Sequence, residues 1–256
     1  MTETQAARKA PVWMPPTDVI VSTTEFTPTV SDRDISLPPT TYTIIHTTEV
    51  DGYEAPPPRD LTPAPQAQTG DKYQGTARKA AKLSIANAPI EQFADVKALI
   101  ASLPPDQQMA HHSPPITDTA TSGRVKEEKR SVHFRAWLYA ASKEADNDFH
   151  LIIGTDPTKS PPTVMNMELS GLPSSNSSSY PALKAARDAY KAFFGTHLPG
   201  TTYDFYNPPI PVEIEGSVFF DITHATGQKP GPATLRKYSP TIWEVHPITK
   251  IVFEPR

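Results

Sequence analysis

The second half of the chain predicts a mainly β fold with a single long helix, on three observations. Apolar runs recur between residues 131 and 253, each bounded by Pro, Gly, Asp or Ser. One alanine-rich stretch, residues 180–195, has helical spacing instead. The resulting order is strand, strand, strand, helix, strand, strand. That is the order of an OB-like five-stranded β-barrel with its helix between strands three and four.

Each element follows from its residues. Val132 to Ala140 alternates, with Phe134, Ala136 and Leu138 on one face and Arg135, Trp137 and Tyr139 on the other. Lys143 to Asn147 makes a turn, and Asp148 to Thr155 returns as the second strand of a hairpin. Asp156-Pro157 stops it, because proline cannot donate to the ladder. Thr163 to Leu169 reads as the third strand. After a serine-rich loop, Tyr180 to Gly195 reads as the helix. Ser179 is its expected cap, its alanines favour it, and Gly195 terminates it. Its expected buried stripe is Leu183, Ala186, Tyr190 and Phe193 or Phe194. Val212 to Ile222 is the fourth strand, with Gly216 marking a bulge or bend, and Ile242 to Phe253 is the fifth.

The first half differs. Thirty prolines against 11 glycines and an apolar content of 37 % point to extended, poorly packed chain. Residues 1–72 read as a Pro/Thr-rich extended arm, broken at Pro15-Pro16, Pro38-Pro39 and Pro56-Pro57-Pro58. Two β-like runs, Asp18 to Ser22 and Thr41 to His46, are isolated strands or segments laid on a partner surface. A small β-rich attachment packed on the second half is the alternative. Such an arm implies a protein partner. Residues 73–128 read as a short helical segment and linker, and residues 129–256 as the barrel domain. In the middle segment a helix is expected from Pro89 to Leu103, its stripe formed by Ile90, Phe93, Val96 or Lys97, Leu99, Ile100 and Leu103. His111-His112, in a polar loop, reads as solvent-exposed.

Composition excludes several function classes. The net charge is −4. From Lys129 onward there are 13 Lys and Arg against 12 Asp and Glu. No electrostatic funnel results, so nucleic acid is not favoured by charge. The absence of cysteine removes disulfides, thiolate metal sites, thiol catalysis and the zinc-deaminase signature. The N-terminus lacks the apolar core of a secretory signal, and no apolar run approaches a membrane span. A cytoplasmic location is the expectation.

The candidate site lies in Ala145 to Gly154 and Trp243 to Pro247. Asp146, Asp148 and His150 are spaced two apart, so in extended chain they share a side. Glu244 and His246 repeat that spacing. Asp221 and His224 flank the end of strand four. In an OB-like barrel, strands two and five both border strand three, so these groups can converge. Carboxylates with neutral imidazoles suit a divalent metal ion, for which Asp146, Asp148, His150, His224, Glu244 and His246 are the candidate ligands. The same groups suit acid/base catalysis by His150, His246 and Glu244. A hydrogen-bonded cluster that only fixes the hairpin and last strand is the plain structural alternative.

Three blocks carry a resemblance: Asp146-Asn147-Asp148-Phe149-His150-Leu151, Gly216-Ser217-Val218-Phe219-Phe220-Asp221 with His224, and Glu244-Val245-His246-Pro247. They resemble a group of uncharacterised bacterial proteins that pair D-x-D-[FY]-H-L with G-x-x-F-F-D…H and a late E-[LV]-H-P. The resemblance covers the second half only, and the loop after His224 departs from the usual form. It implies a site at these residues without naming a reaction.

Three functions compete. One is a metal-dependent or acid/base hydrolase acting on a phosphodiester. Another is a binding module for oligosaccharide or single-stranded nucleic acid, stacking ligands on Trp137, Tyr139 and Phe149. The third is a structural or assembly role for the Pro-rich arm.

Overall fold

The computed structural model describes residues 10–51 and 70–256. The expected break at Pro56-Pro57-Pro58 lies outside the described residues. Eight strands form one mixed sheet, with few helices. They are β1 (Ile20–Phe26), β2 (Tyr42–Thr47), β3 (Ile90–Gln92), β4 (Ser131–Lys143), β5 (Phe149–Gly154), β6 (Val164–Leu169), β7 (Asp204–Phe220) and β8 (Trp243–Phe253). Their order is β1-β2-β7-β8-β6-β5-β4-β3, and β7 also pairs with β4. Short helices α1 (Lys79–Lys82), α2 (Val96–Ala101) and α3 (Asp106–Ala110) precede β4. The long helix α4 (Tyr180–Phe194) joins β6 to β7, and α5 (Ala233–Arg236) lies before β8.

Strands β4, β5, β6 and β8 and helix α4 fall where the sequence places them, within one to three residues at most ends. Along β5, β6 and β8, alternate side chains enter one core: Phe149, Leu151 and Ile153, then Met165, Met167 and Leu169, then Trp243 and Val245. Helix α4 closes this core with Ala186, Tyr190, Phe193 and Phe194. The rings of Phe193 and Phe253 stack with centroids 4.0 Å apart, a geometry that adds about 0.5–1.5 kcal/mol beyond area burial. Gly195, at φ +56°, stops the helix as expected. Ser179 does not cap it: its hydroxyl donates to the Leu83 carbonyl instead, tying the helix start to the chain after α1.

Three expectations are corrected. The helix over Pro89 to Leu103 is cut to α2, because Asp95 caps at a later point, accepting from the Ala98 amide. Upstream of that cap Ile90–Gln92 pairs in parallel with Ser131–His133, and Ile90 is exposed rather than part of a buried stripe. The fourth strand starts at Asp204, eight residues early. Residues 204–207 pair with β2 before Pro208, Pro209 and Pro211 remove donors from the strand. And the β-like runs of the first half are sheet strands: β1 pairs with β2 and β2 with β7, so residues 20–26 and 42–47 are not free extended chain. Among the described residues His111 bonds the Gln107 carbonyl, and His112 bonds the Pro114 carbonyl and Glu127.

Two arginines fasten the segment before β4 onto the sheet. Arg78 donates to both carboxylate oxygens of Glu128, at 2.6 and 2.8 Å, and to the Phe220 carbonyl. Arg124 donates to the carbonyls of Ala81, Ser84, Val218 and His246. Arg78 and Glu128 are each at most 1 % exposed. This is the bidentate fork geometry that offsets the burial of an ion pair, although Arg78 Nε finds no hydrogen-bond partner among the described residues. The consequence is that α1, with Lys82, is held over β7 and β8. Among the described residues no helix is long and apolar enough to cross a membrane.

Candidate metal centre

Register creates the site. His150 in β5 pairs with Glu168 in the antiparallel β6. Met167 in β6 pairs with Val245 in the parallel β8, which sets Glu168 level with His246. Met167 and Val245 point into the core, so their neighbours point away from it. His150, Glu168, Glu244 and His246 therefore emerge on one face of three adjacent strands, where neighbouring side chains stand about 5 Å apart. Gly216 makes the last strand fit. A Cβ there would sit 2.4 Å from Val245 Cγ1 and 2.6 Å from the Pro247 carbonyl, and the β7–β8 register shifts on both sides of it.

The turn between β4 and β5 adds two carboxylates. Asn147 takes a left-handed φ of +78°, which swings Asp148 inward. Its Oδ1 accepts the Gly171 amide and its Oδ2 lies 3.4 Å from His246 Nε2. Glu168 Oε2 lies 3.0 Å from His246 Nδ1, and Glu244 Oε2 lies 3.7 Å from the same nitrogen. Asp146 stands further out, 3.7 Å from Lys82 Nζ, which is also 3.8 Å from Glu168. His150 is held from behind. Its Nδ1 lies 3.0 Å from the Tyr203 hydroxyl and 3.2 Å from Glu144 Oε1, and the Tyr203 hydroxyl donates to Asp51.

These contacts are close but incompletely satisfied. Both nitrogens of His246, both oxygens of Glu244, Asp148 Oδ2, Glu168 Oε2 and His150 Nε2 are buried with no hydrogen-bond partner among the described residues. Seven such atoms in one cluster are expensive, since a buried polar group without a partner costs about 1–3 kcal/mol. Two sets of three donors lie within 4.8 Å of one another here, Asp148–Glu168–His246 and His150–Glu168–Glu244. A third set, Asp51–Glu144–His150, backs the second. One cation within reach of such a set supplies the missing partners.

Burial and crowding set the protonation of the ion-free cluster. Burial raises the Asp148 carboxyl well above its ordinary range, and Asp146 and Glu168 raise it further. Burial, then the charge of Glu168, pushes Glu244 up to about 6. Burial opposes the charge on His150, but its hydrogen bond to Glu144 and the charges of Glu144 and Asp51 outweigh that and push it up to about 10. His246 is likewise raised, burial being overcome by Glu168. Glu168 is held well below its ordinary value: burial opposes this, and His246 and Lys82 overcome it. Lys82 stays charged against its burial because Glu168 and Asp146 face it.

A cleft of about 380 Å³ opens beside the cluster. His150, Glu168, Asp146 and Lys82 form part of its wall, together with Asp51, Glu144, Asp221 and His224. Glu244, His246 and Asp148 lie deeper, each at most 1 % exposed.

Four of the six expected ligands thus come together in the donor sets, Asp148, His150, Glu244 and His246, while Asp146 stands at the cleft wall beside Lys82. His224 is set apart at the cleft wall, 3.4 Å from Asp221 and 3.2 Å from the Gln228 carbonyl. Sequence reasoning missed Glu168, Lys82, Glu144, Asp51 and Tyr203. Glu168 carried a signal, the only carboxylate in the strand run Val164 to Leu169. The others come from turns, loops and the four-residue α1, whose closure no local pattern announces. Of the proposed stacking platform, Tyr139 and Phe149 are buried, Tyr139 against Trp13 and Phe149 against Tyr190. Comparison with protein-family models, with curated proteins and with solved structures found no match.

Proposed function

We propose that the chain is a metal-dependent hydrolase whose centre is built by His150, Glu168, Glu244, His246 and Asp148. The observation that carries this reading is the set of buried nitrogen and oxygen atoms without partners on one face of β5, β6 and β8. A purely structural cluster would hydrogen-bond its members to one another, whereas these lie within ion-pair distance without an aligned bond. The residue types, imidazole and carboxylate, are those of Zn, Mn or Fe sites. His150 has the arrangement of a metal-ligating histidine, Nδ1 held by an oxygen acceptor and Nε2 unused.

A metal ion bound here supplies Lewis acidity and a water that ionises near neutral pH. The protein's own residues do the rest. Glu144 and Tyr203 fix the His150 ring. Lys82 places a positive charge at the cleft wall. Asp146, Glu144 and Asp221 make that wall acidic, so an anionic substrate binds only through the metal and Lys82. We infer a phosphodiester as substrate on this ground: its anionic non-bridging oxygens would be drawn to a bound cation and to Lys82, and a neutral ester has no use for Lys82.

We further infer an OB-like barrel for residues 129–256. Support comes from the pairing circuit β4–β5–β6–β8–β7 and back to β4, with α4 between β6 and β7, the third and fourth of these strands in chain order. β1, β2 and β3 then extend that circuit outward.

Elemental analysis of the protein as purified, followed by assay on a chromogenic phosphodiester with added Mn²⁺ or Zn²⁺, tests the function. The expected result is at least one equivalent of metal and metal-dependent hydrolysis, both lost in a His150→Ala/His246→Ala double variant. No metal and no hydrolysis overturns it.

A further inference from the structure

The two donor sets at the centre share one residue. Asp148, Glu168 and His246 form one, and His150, Glu168 and Glu244 the other. We propose that the centre is dinuclear, with the Glu168 carboxylate bridging two divalent cations. This rests on the metal-centre reading above and goes beyond it in number and arrangement.

Four features support two ions over one. Each set has three protein donors, the number that leaves a position open for water or substrate. The partnerless buried atoms belong to both sets: His246 and Asp148 to one, His150 Nε2 and Glu244 to the other. One ion at either set would leave the second set's atoms buried and unpaired. Charge agrees as well. The donors bring three carboxylates, and Asp146, Glu144 and Asp51 add three more around them, with Lys82 the lysine in contact. Finally, Glu168 sits on β6 between β5 and β8, so its carboxylate faces a ligand on each neighbouring strand. A carboxylate with one oxygen toward each ion holds them about 3.5–4 Å apart, the separation at which two metals clamp the attacking and leaving oxygens of a displaced phosphoryl group.

The test is titration of the ion-free protein with Mn²⁺, read by calorimetric stoichiometry and by electron paramagnetic resonance. Two ions per chain and the spectrum of an exchange-coupled Mn(II) pair are expected. Glu168→Gln keeps the side chain's volume and removes the bridging charge. It is expected to abolish the coupled signal and weaken at least one site 10-fold or more. His246→Asn removes a donor from one set only and is expected to leave a single uncoupled ion, which keeps the test open if Glu168→Gln fails to fold. One ion per chain in the wild type, or two ions without coupling, overturns the dinuclear proposal and leaves the hydrolase reading standing. No ion at all overturns both.

Discussion

Glu168 Oε2 lies 3.0 Å from His246 Nδ1 across the β6–β8 pairing, yet neither atom has a hydrogen-bond partner among the described residues. The two groups are close enough to attract and badly aligned for the bond that attraction would ordinarily make. A bond aligned for mutual pairing would satisfy both and give the cluster a purely structural role. Their misalignment leaves polar atoms of both groups buried side by side without the bond that would settle them.

Glu244 is costly without a cation. Burial and the charge of Glu168 push its carboxyl up to about 6, so near pH 7.5 it is ionised at a loss. Glu244→Gln removes that charge and keeps the shape. In the presence of a chelator the variant is expected to be more stable than the wild type, by about 1–2 kcal/mol at about 1.4 kcal/mol per pKa unit. With Mn²⁺ present the order reverses, because only the wild type gains binding free energy. Urea denaturation with and without metal checks both signs. A variant less stable than wild type in chelator would show that Glu244 is already well paired.

The pH dependence has two parts. A carboxyl raised in the folded state binds its proton more tightly there than in the unfolded chain. The Glu244 contribution to ion-free stability therefore falls as pH rises from about 4.5 to about 6 and is constant above. His150, raised to about 10, works the other way: its contribution is fully present below about 6.5 and is lost as pH rises through about 10. Metal binding must expel the His150 proton at any pH below about 10, and the Glu244 proton as well below about 6. Calorimetry at pH 7 in buffers of different ionisation enthalpy should detect release of the His150 proton. Metal affinity should fall as pH drops from about 10, and more steeply below about 6. Affinity independent of pH between 5 and 8 would place the metal elsewhere.

How far the sequence revealed this site depended on chain regularity. Asp148, His150, Glu244 and His246 sit in or beside regular strands, where period-two spacing assigns each side chain to a face, so their convergence followed once β5 and β8 were seen to flank β6. Glu168 obeys the same period but looked like one polar residue in a short run. Tyr203 and Lys82 arrive through irregular chain: Tyr203 just ahead of a strand whose prolines hid its true start, Lys82 on a four-residue helix. The misread helix at 89–103 has a related cause. Helical spacing of apolar residues said nothing of Asp95, whose side chain set the later start.

The ion pair of Arg78 and Glu128 holds α1, and so Lys82, over the cluster. Glu128 also accepts the Phe220 and Val125 amides. Glu128→Ala leaves Arg78 buried and uncompensated, and the loss of stability should be about 3–5 kcal/mol. Chemical denaturation measures it. Arg78→Met/Glu128→Leu, which removes both charges and keeps bulk, should recover much of that loss, whereas a cost equal to the single variant's would show that the amide contacts dominate.

Gly216 connects packing to the site. Alanine there meets Val245 Cγ1 and the Pro247 carbonyl inside contact distance, and the carbonyl belongs to backbone that cannot swing away. Relief requires β8 to move, which carries Glu244 and His246 with it. Gly216→Ala should destabilise the protein by about 1–3 kcal/mol, the usual cost of overpacking, and weaken metal binding in the fraction that folds. Denaturation and Mn²⁺ titration of the same preparation check the two effects together.

Tyr203 tests the centre most selectively. Its hydroxyl lies 3.0 Å from His150 Nδ1 and donates to Asp51, which also accepts the Gly231 amide. With Glu144 it keeps Nδ1 protonated and turns the unused Nε2 toward the cluster. Tyr203→Phe removes that contact from behind the ligand without touching any proposed metal donor. Partners of this kind typically set metal affinity within a factor of 10–100, so affinity should fall by about 10-fold or more while thermal stability in chelator changes by less than in Glu128→Ala. Unchanged affinity would mean that His150 is oriented by Glu144 alone or does not ligate the metal. Tyr203→Phe/Glu144→Gln separates these. A further loss in the double variant assigns the orientation to Glu144, and no loss removes His150 from the centre.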